Sequence, residues 1–331
     1  MNKKNKNDIL YPQCENGMYM YEYVEIGGIK QYIQIRGKDR SNPILLFVHG
    51  GPGGSMAGYA HIMQDLWEEH FTVVNWDQRN ACKTYLANKD RAMEIAKTGT
   101  MEDYIGDIDE IIKYLHTIYD FEKIILLGFS WGSVIGSEYA RKHPENVSCY
   151  IGVGQLINYV EGFHVVGKQV LERAKKQRNK KDIEKINKVF ESIPDGNAMT
   201  DEFMKQIMIF SRIANKYLSE NSRGLTWKEF LTSPLMDGKA RKAMYTHHSL
   251  LTGTFKTLFE YDFRDDLNFP VPMYFITGEE DTSCPHSMLK EIVDDISAPK
   301  KELHIMKKAG HCCFFDRKEE FNELLKSIGI C

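Results

Sequence analysis

The stretch Lys123–Pro144, KIILLGFSWGSVIGSEYARKHP, decides how the rest of the chain is read. Ile124–Leu127 is an apolar run of strand length, and Gly128, Gly132 and Gly136 punctuate a turn and the start of a helix. Between the first two glycines sits Ser130. Gly128-Phe129-Ser130-Trp131-Gly132 has the G-x-S-x-G arrangement, in which a sharp strand-to-helix turn lifts a serine above the end of a sheet. Small flanking residues suit the strained backbone and the close neighbouring chain of such a turn. The pattern predicts a buried strand, a raised serine and a helix that stops near Pro144.

Upstream, Tyr21–Ile26 and Ile29–Ile35 alternate apolar and polar residues around Gly27-Gly28, which reads as a β-hairpin. Ile44–Val48 is continuous and apolar, as expected of a strand covered on both faces. It ends in His49-Gly50-Gly51-Pro52-Gly53-Gly54-Ser55, a loop whose backbone N–H groups are free to point at something. A helix is expected over Ala57–Glu69 and a strand over Phe71–Trp76, running into the polar turn Asp77-Gln78-Arg79-Asn80. Thr100 with Asp103 three residues on has the pattern of a capped helix start. Ile105, Ile108, Ile112, Leu115 and Tyr119 then mark one helical face. Strands alternating with helices argue for a mostly parallel sheet with helices on both faces.

Downstream, the rhythm stops between Asn158 and His248, where Lys, Glu, Arg, Met and Ile recur at helical spacing. This predicts an all-helical cap over residues 158–248, set into a core of residues 1–157 and 249–331. The basic run Lys175–Lys181 inside it reads as a solvated helix face or turn. The strand rhythm returns with Val271–Thr277, closing at Gly278-Glu279-Glu280-Asp281. A helix over His286–Asp295, a strand over Glu302–Met306, the turn Lys308-Ala309-Gly310-His311 and a last helix over Lys318–Ser327 follow.

Composition narrows the function classes. The chain has 331 residues, 42% apolar and 27% charged, with a net charge of −3. That balance gives no electrostatic support to nucleic-acid binding. The N-terminus carries no signal-like apolar region, and no run of about 18 apolar residues occurs, so no membrane association and a cytoplasmic location are expected. Seven scattered cysteines fit reduced thiols better than a disulfide framework. His311-Cys312-Cys313 lacks a second ligand pair at zinc spacing, so no metal site is expected. Oligomeric state is left open.

Ser130, Asp281 and His311 occur in the order nucleophile, acid, base. A serine hydroxyl becomes a competent nucleophile when an imidazole takes its proton, and a carboxylate fixes that imidazole's tautomer. Each of the three follows the end of an expected strand, where open α/β sheets place their sites. Ser130 at the elbow argues against the epoxide hydrolase and dehalogenase chemistries, which need an aspartate there.

Taken with the H-G-G-P-G loop at His49–Gly53, Asp77-Gln78-Arg79, Gly278-Glu279-Glu280-Asp281 and Gly310-His311, the chain resembles the proline iminopeptidase branch of the α/β-hydrolases. The resemblance implies the α/β-hydrolase fold, a serine hydrolase that works through an acyl-enzyme, and no metal or organic cofactor. It also implies oxyanion donors at the Gly51 and Trp131 N–H groups, with His49 and Gly50 beside the substrate. The expected substrate is a small molecule or short peptide, with release of N-terminal proline or another small residue the activity most readily named. A carboxylesterase or lactonase, and a slow-turnover ligand sensor, are the alternatives. Two departures stand out: the family's D-Q-R-G reads Asp77-Gln78-Arg79-Asn80, and the W-E stretch that holds a free amine has no clean copy. Trp227 with Glu229, Glu161 and Glu220 are the residues that could serve instead.

Overall fold

The computed structural model describes residues 6–193, 199–244 and 247–329, leaving aside the side chains of Lys6, Trp227 and Phe230. Eight strands form a single sheet: β1 (Met18–Ile26), β2 (Ile29–Gly37), β3 (Ile44–Val48), β4 (Thr72–Asp77), β5 (Ile124–Phe129), β6 (Val147–Val153), β7 (Met273–Gly278) and β8 (Lys301–Met306). Their spatial order is β1-β2-β4-β3-β5-β6-β7-β8. The β1–β2 and β2–β4 pairs are antiparallel, and all later pairs are parallel. The expected hairpin turns at Gly27 and Gly28, both at positive φ.

Period-two alternation divides the sheet's side chains between two cores. Ile44, Leu46 and Val48 of β3 join one cluster with the Met101–Leu115 helix, while Leu45 and Phe47 join the other with Trp67 and Phe321. Both faces are therefore covered, which is why β3, β5 and β7 read as unbroken apolar runs. The Met101–Leu115 helix begins with the expected capping box, Thr100 and Asp103 each bonding the other's backbone.

Two elements depart from expectation. β6 is a strand that the sequence reading passed over, because exposed Ser148 interrupts its apolar pattern near the start. The single helix expected over Ala57–Glu69 is broken into two short 3-10 turns, Ala57–Tyr59 and Trp67–Glu69, around the helical turn Ala60–Met63. Here Gln64 is buried and exchanges two 2.9 Å side-chain bonds with Asn75 of β4, so tertiary hydrogen bonding overrides helical continuation.

Between β6 and β7 the described chain is helical. Tyr159–Lys176, Lys180–Glu191 and Asp201–Leu218 pack on each other through a cluster of their own, built on Val166, Val170, Ile186, Val189, Phe210 and Ile213. Helical structure continues past His248, with Thr252–Glu260 leading back toward β7. Lys175 and Lys176 close one helix and Lys180 and Lys181 open the next, all exposed, as a solvated turn requires. Among the described residues, no helix is long and apolar enough to cross a membrane.

Candidate active site

Ser130 stands between β5 and the Trp131–Lys142 helix at φ 54° and ψ −120°, a strained conformation for a residue with a side chain. The turn is possible because glycine flanks it. A Cβ on Gly132 would lie 2.0 Å from the Val48 carbonyl oxygen, and one on Gly50 would lie 2.9 Å from the Ser130 Cβ. The Ser130 N–H donates to the Val153 carbonyl at 3.0 Å, and Ser133 Oγ donates to the Ser130 carbonyl at 2.6 Å. The end of the unexpected strand β6 thus helps to hold the elbow.

Asp281 follows β7 and His311 follows β8, neighbouring parallel strands. Their loops are stitched together, since the Glu280 N–H donates to the Ala309 carbonyl at 2.8 Å. The Asp281 carboxylate is fully engaged. Its Oδ1 accepts the Ser283 and Cys284 N–H groups at 2.8 Å each, and its Oδ2 lies 2.8 Å from His311 Nδ1. An imidazole that donates from Nδ1 presents a bare Nε2 to a reacting group. Phe129, 4.9 Å away between centroids, packs beside the His311 ring.

Ser130 and His311 open on one cavity of about 310 Å³. From the sheet side it is lined by Gly51, Phe129, Trp131, Thr282, Ser283, Cys284 and Cys312. From the helical side it is lined by Tyr159, Gly162, Phe163, Ile207, Phe210, Ser211 and Leu258, with Leu156 between the two. Among the described residues, no carboxylate lines it.

The expected site residues divide accordingly. Ser130, His311, Gly51 and Trp131 reach the cavity, and Asp281 stands behind His311. Trp131 is the first residue of its helix, so its N–H has no partner within that helix. His49 and Gly50 do not line the cavity. His49 is 1% exposed; its Nε2 accepts the Gln78 N–H at 3.2 Å, which leaves Nδ1 to donate to the Gly50 carbonyl at 2.8 Å. Burial pushes its pKa down to about 4, so it is a neutral structural group. Gly50 lies beneath Ser130 as a spacer. Glu161 is 43% exposed and paired with Arg264 at 2.6 Å, Glu220 is exposed, and Glu229 caps the Trp227–Thr232 helix and pairs with Arg223. None of these acids lines the cavity, and the Trp227 side chain lies outside the described residues.

The Asp77-Gln78-Arg79-Asn80 turn is structural throughout. Gln78 Nε2 donates to the His49 carbonyl at 2.7 Å while its Oε1 accepts the Trp131 indole N–H at 3.0 Å, joining the glycine loop to the elbow. Arg79 makes a two-pronged pair with Asp107 at 2.6 and 2.7 Å. Asn80 takes the left-handed conformation at φ 55°. Desolvation raises the Asp77 pKa to about 6, and the carboxylate holds Ser55, at the far end of the glycine loop, in place.

Residues 43–318 match the sequence model of the alpha/beta hydrolase fold. The chain belongs to that family. As an α/β-hydrolase it is similar to a protein named probable aminopeptidase from Bacillus subtilis, 26% identical over 87% of this chain and 89% of that one. A proline iminopeptidase structure from Mycobacterium smegmatis superposes with a TM-score of 0.66 at 17% identity, covering 94% of this chain and 97% of that one. An esterase structure from Exiguobacterium antarcticum does so with a TM-score of 0.56 at 20% identity, covering 94% and 100%.

Sequence reading missed the helical wall of the hydrolase's cavity. Its signal was present as helical spacing, Tyr159 to Phe163 and Ile207 to Phe210 and Ser211, but nothing local tells a cavity-facing aromatic from a core one. The six described cysteines are free thiols. Cys284 and Cys312 line the cavity, but burial pushes Cys312 up to about 12 and Cys284 well above its usual range. Both are protonated at neutral pH, so neither presents a thiolate to the cavity. Among the described residues, Asp201, His247 and His248 are close enough to share a cation, with His248 Nε2 already 3.0 Å from the Asp201 carboxylate.

Proposed function

We propose that this α/β-hydrolase is a serine acyl hydrolase that acts through an acyl-enzyme. The observation that carries the reading is the Asp281–His311 bond of 2.8 Å behind the cavity into which the strained Ser130 projects. Ser130 Oγ attacks a substrate carbonyl as His311 Nε2 takes its proton, and His311 returns that proton to the leaving group. Asp281 fixes the imidazole and stabilises its charged form. The Gly51 and Trp131 N–H groups serve the oxyanion, a contribution of about 10²- to 10³-fold per donor. Water, deprotonated by the same histidine, then releases the acid. No cofactor takes part.

The cavity favours an uncharged, apolar acyl group. A free N-terminal amine needs a carboxylate or a dense set of acceptors once it leaves water, and the described lining is mainly aromatic and aliphatic, with Ser211, Thr282 and Ser283 hydroxyls but no carboxylate. A carboxylesterase-type or lactone substrate fits that lining. Aminopeptidase activity on small N-terminal residues is the second reading, favoured by the similarity to the Bacillus subtilis protein named as such.

A fluorophosphonate probe and a chromogenic panel test both. The wild type is expected to label at Ser130 and to turn over p-nitrophenyl acetate and butyrate faster than prolyl, alanyl or leucyl arylamides. Absence of labelling in folded protein overturns the serine mechanism. Faster cleavage of an arylamide overturns the ester preference and installs the aminopeptidase reading.

A further inference from the structure

We infer that Asp316 is a positioning residue, through which the seating of the Asp201–Leu218 helix on the sheet and the placement of His311 depend on each other. The inference rests on the serine-hydrolase reading of Ser130 and His311.

Asp316 ends the short Cys313–Asp316 helix, five residues beyond His311. Its carboxylate accepts four hydrogen bonds. On one side Oδ2 takes the Gly310 N–H at 2.8 Å, which fixes the Ala309–Gly310 peptide, one residue before His311. On the other side the carboxylate collects a loop from the helical region: Ser222 Oγ at 3.0 Å on Oδ2, and the Arg223 and Gly224 N–H groups at 2.7 and 2.8 Å on Oδ1. Each oxygen has two lone pairs, so the acceptor is saturated. Bonds from N–H groups to an ionised carboxylate are the short, strong kind.

The same loop is held a second time beside the acid. Glu280, next to Asp281, accepts the Asn221 N–H at 2.8 Å and its side-chain amide at 2.5 Å. Thr282, on the other side of Asp281, donates to Asn215 Oδ1 at 2.8 Å. Residues 219–224 directly follow the helix that brings Ile207, Phe210 and Ser211 to the cavity. One stretch of chain therefore ties that wall to both the acid loop and the base loop. Gly310 completes the fit, because a Cβ there would lie 2.4 Å from Ser222 Oγ.

A carboxylate needed only for folding would be lost at a cost in stability alone. A positioning carboxylate, once lost, lets the Ala309–Gly310 backbone that carries His311 and the helix wall relax away from each other. Displacement of a reacting group by about 1 Å can cost 10²-fold in rate.

The test is Asp316→Asn, which keeps shape but turns two of its acceptor positions into donors facing donors. For protein whose melting curve shows it folded, we expect the labelling rate of Ser130 with a fluorophosphonate and kcat on p-nitrophenyl butyrate to fall about 10- to 100-fold. KM is expected to stay within about threefold, and Ser222→Ala, which removes one of the four bonds, to show a smaller loss of the same kind. Unchanged kcat and labelling rate in folded Asp316→Asn overturns the inference, as does a change confined to KM. If Asp316→Asn fails to fold, Gly310→Ala decides: it keeps the carboxylate but pushes Ser222 away, and undiminished labelling there is equally fatal. A wild type that does not label overturns the serine-hydrolase reading, and the inference falls with it.

Discussion

Two regions of this molecule meet at one cavity and differ in how they are built. On the sheet side, Ser130, Asp281 and His311 sit in tight loops where every backbone contact is specified: glycines without room for a Cβ, a carboxylate with three donors, a glutamine bridging two loops. On the helical side, Tyr159, Phe163, Ile207, Phe210 and Leu258 present apolar surface from helices whose own cluster would tolerate many alternatives. On the proposed function, chemistry falls to the rigid part and the choice of acyl group to the more permissive one.

The sharpest way to break that comparison is Ser130→Ala. It should lower kcat by about 10⁴- to 10⁶-fold while leaving the melting temperature unchanged or higher, since alanine relieves little packing and the hydroxyl serves chemistry. Residual turnover near the wild-type rate would move the chemistry elsewhere in the cavity. Next in size is Asp107→Asn, which leaves buried Arg79 without its two-pronged partner and with only Asp103, 4.0 Å away, as a charged neighbour. Removing one member of such a pair costs about 3–5 kcal/mol, readable as a loss of unfolding free energy in denaturant titration. Loss below about 1 kcal/mol would mark the pair as no more than a surface contact, against its 9% and 0% side-chain exposure.

The same contrast explains what the sequence made legible. The strained turn at Ser130 and the capped helix at Thr100 could be read because each depends on local chemistry at fixed spacing: small residues around a sharp turn, and a reciprocal cap. His49 could not be placed, because a histidine beside a glycine loop looks the same whether it faces substrate or, as here, Gln78. Strand β6 was hidden by one exposed serine, and the break in the Ala57–Glu69 helix by a buried Gln64–Asn75 pair that only tertiary structure creates. Glu161, Glu220 and Glu229 were plausible amine ligands by residue type. Their actual surroundings, Arg264, solvent and a helix cap, are properties of the packed helices.

His49 also gives the rigid side a pH signature. Burial holds its pKa near 4, below the ordinary 6.5, so the folded state resists a proton that the unfolded chain accepts. Stability is therefore fully present above pH 6.5 and falls as the pH drops from 6.5 through 4, by about 3 kcal/mol from this residue. Denaturant titrations of wild type and His49→Asn at pH 7 and pH 4 should show the wild type losing more stability on acidification. Equal losses would mean that His49 is protonated in the fold, with the Gln78 contact open.

The smallest expected effect lies on the helical side and sharpens the comparison most. Phe163 is half-buried, packs edge-on against Tyr159 and tilted against Phe210, each 5.2 Å away between centroids, and lines the cavity from the first helix after β6. Phe163→Ala lengthens the apolar wall without touching any loop that holds Ser130, Asp281 or His311. A hydrophobic pocket discriminates about 1–3 kcal/mol per methylene, so the ratio of kcat/KM for p-nitrophenyl octanoate over acetate should rise about tenfold. The fluorophosphonate labelling rate should stay within about twofold, because the nucleophile and its base are untouched. A changed ratio with constant labelling assigns acyl choice to the helices alone. A fall in labelling to match any change in ratio would show that this wall and the strand-end loops act as one unit, and the division between chemistry and selection would have to be redrawn at the Asp316 clamp.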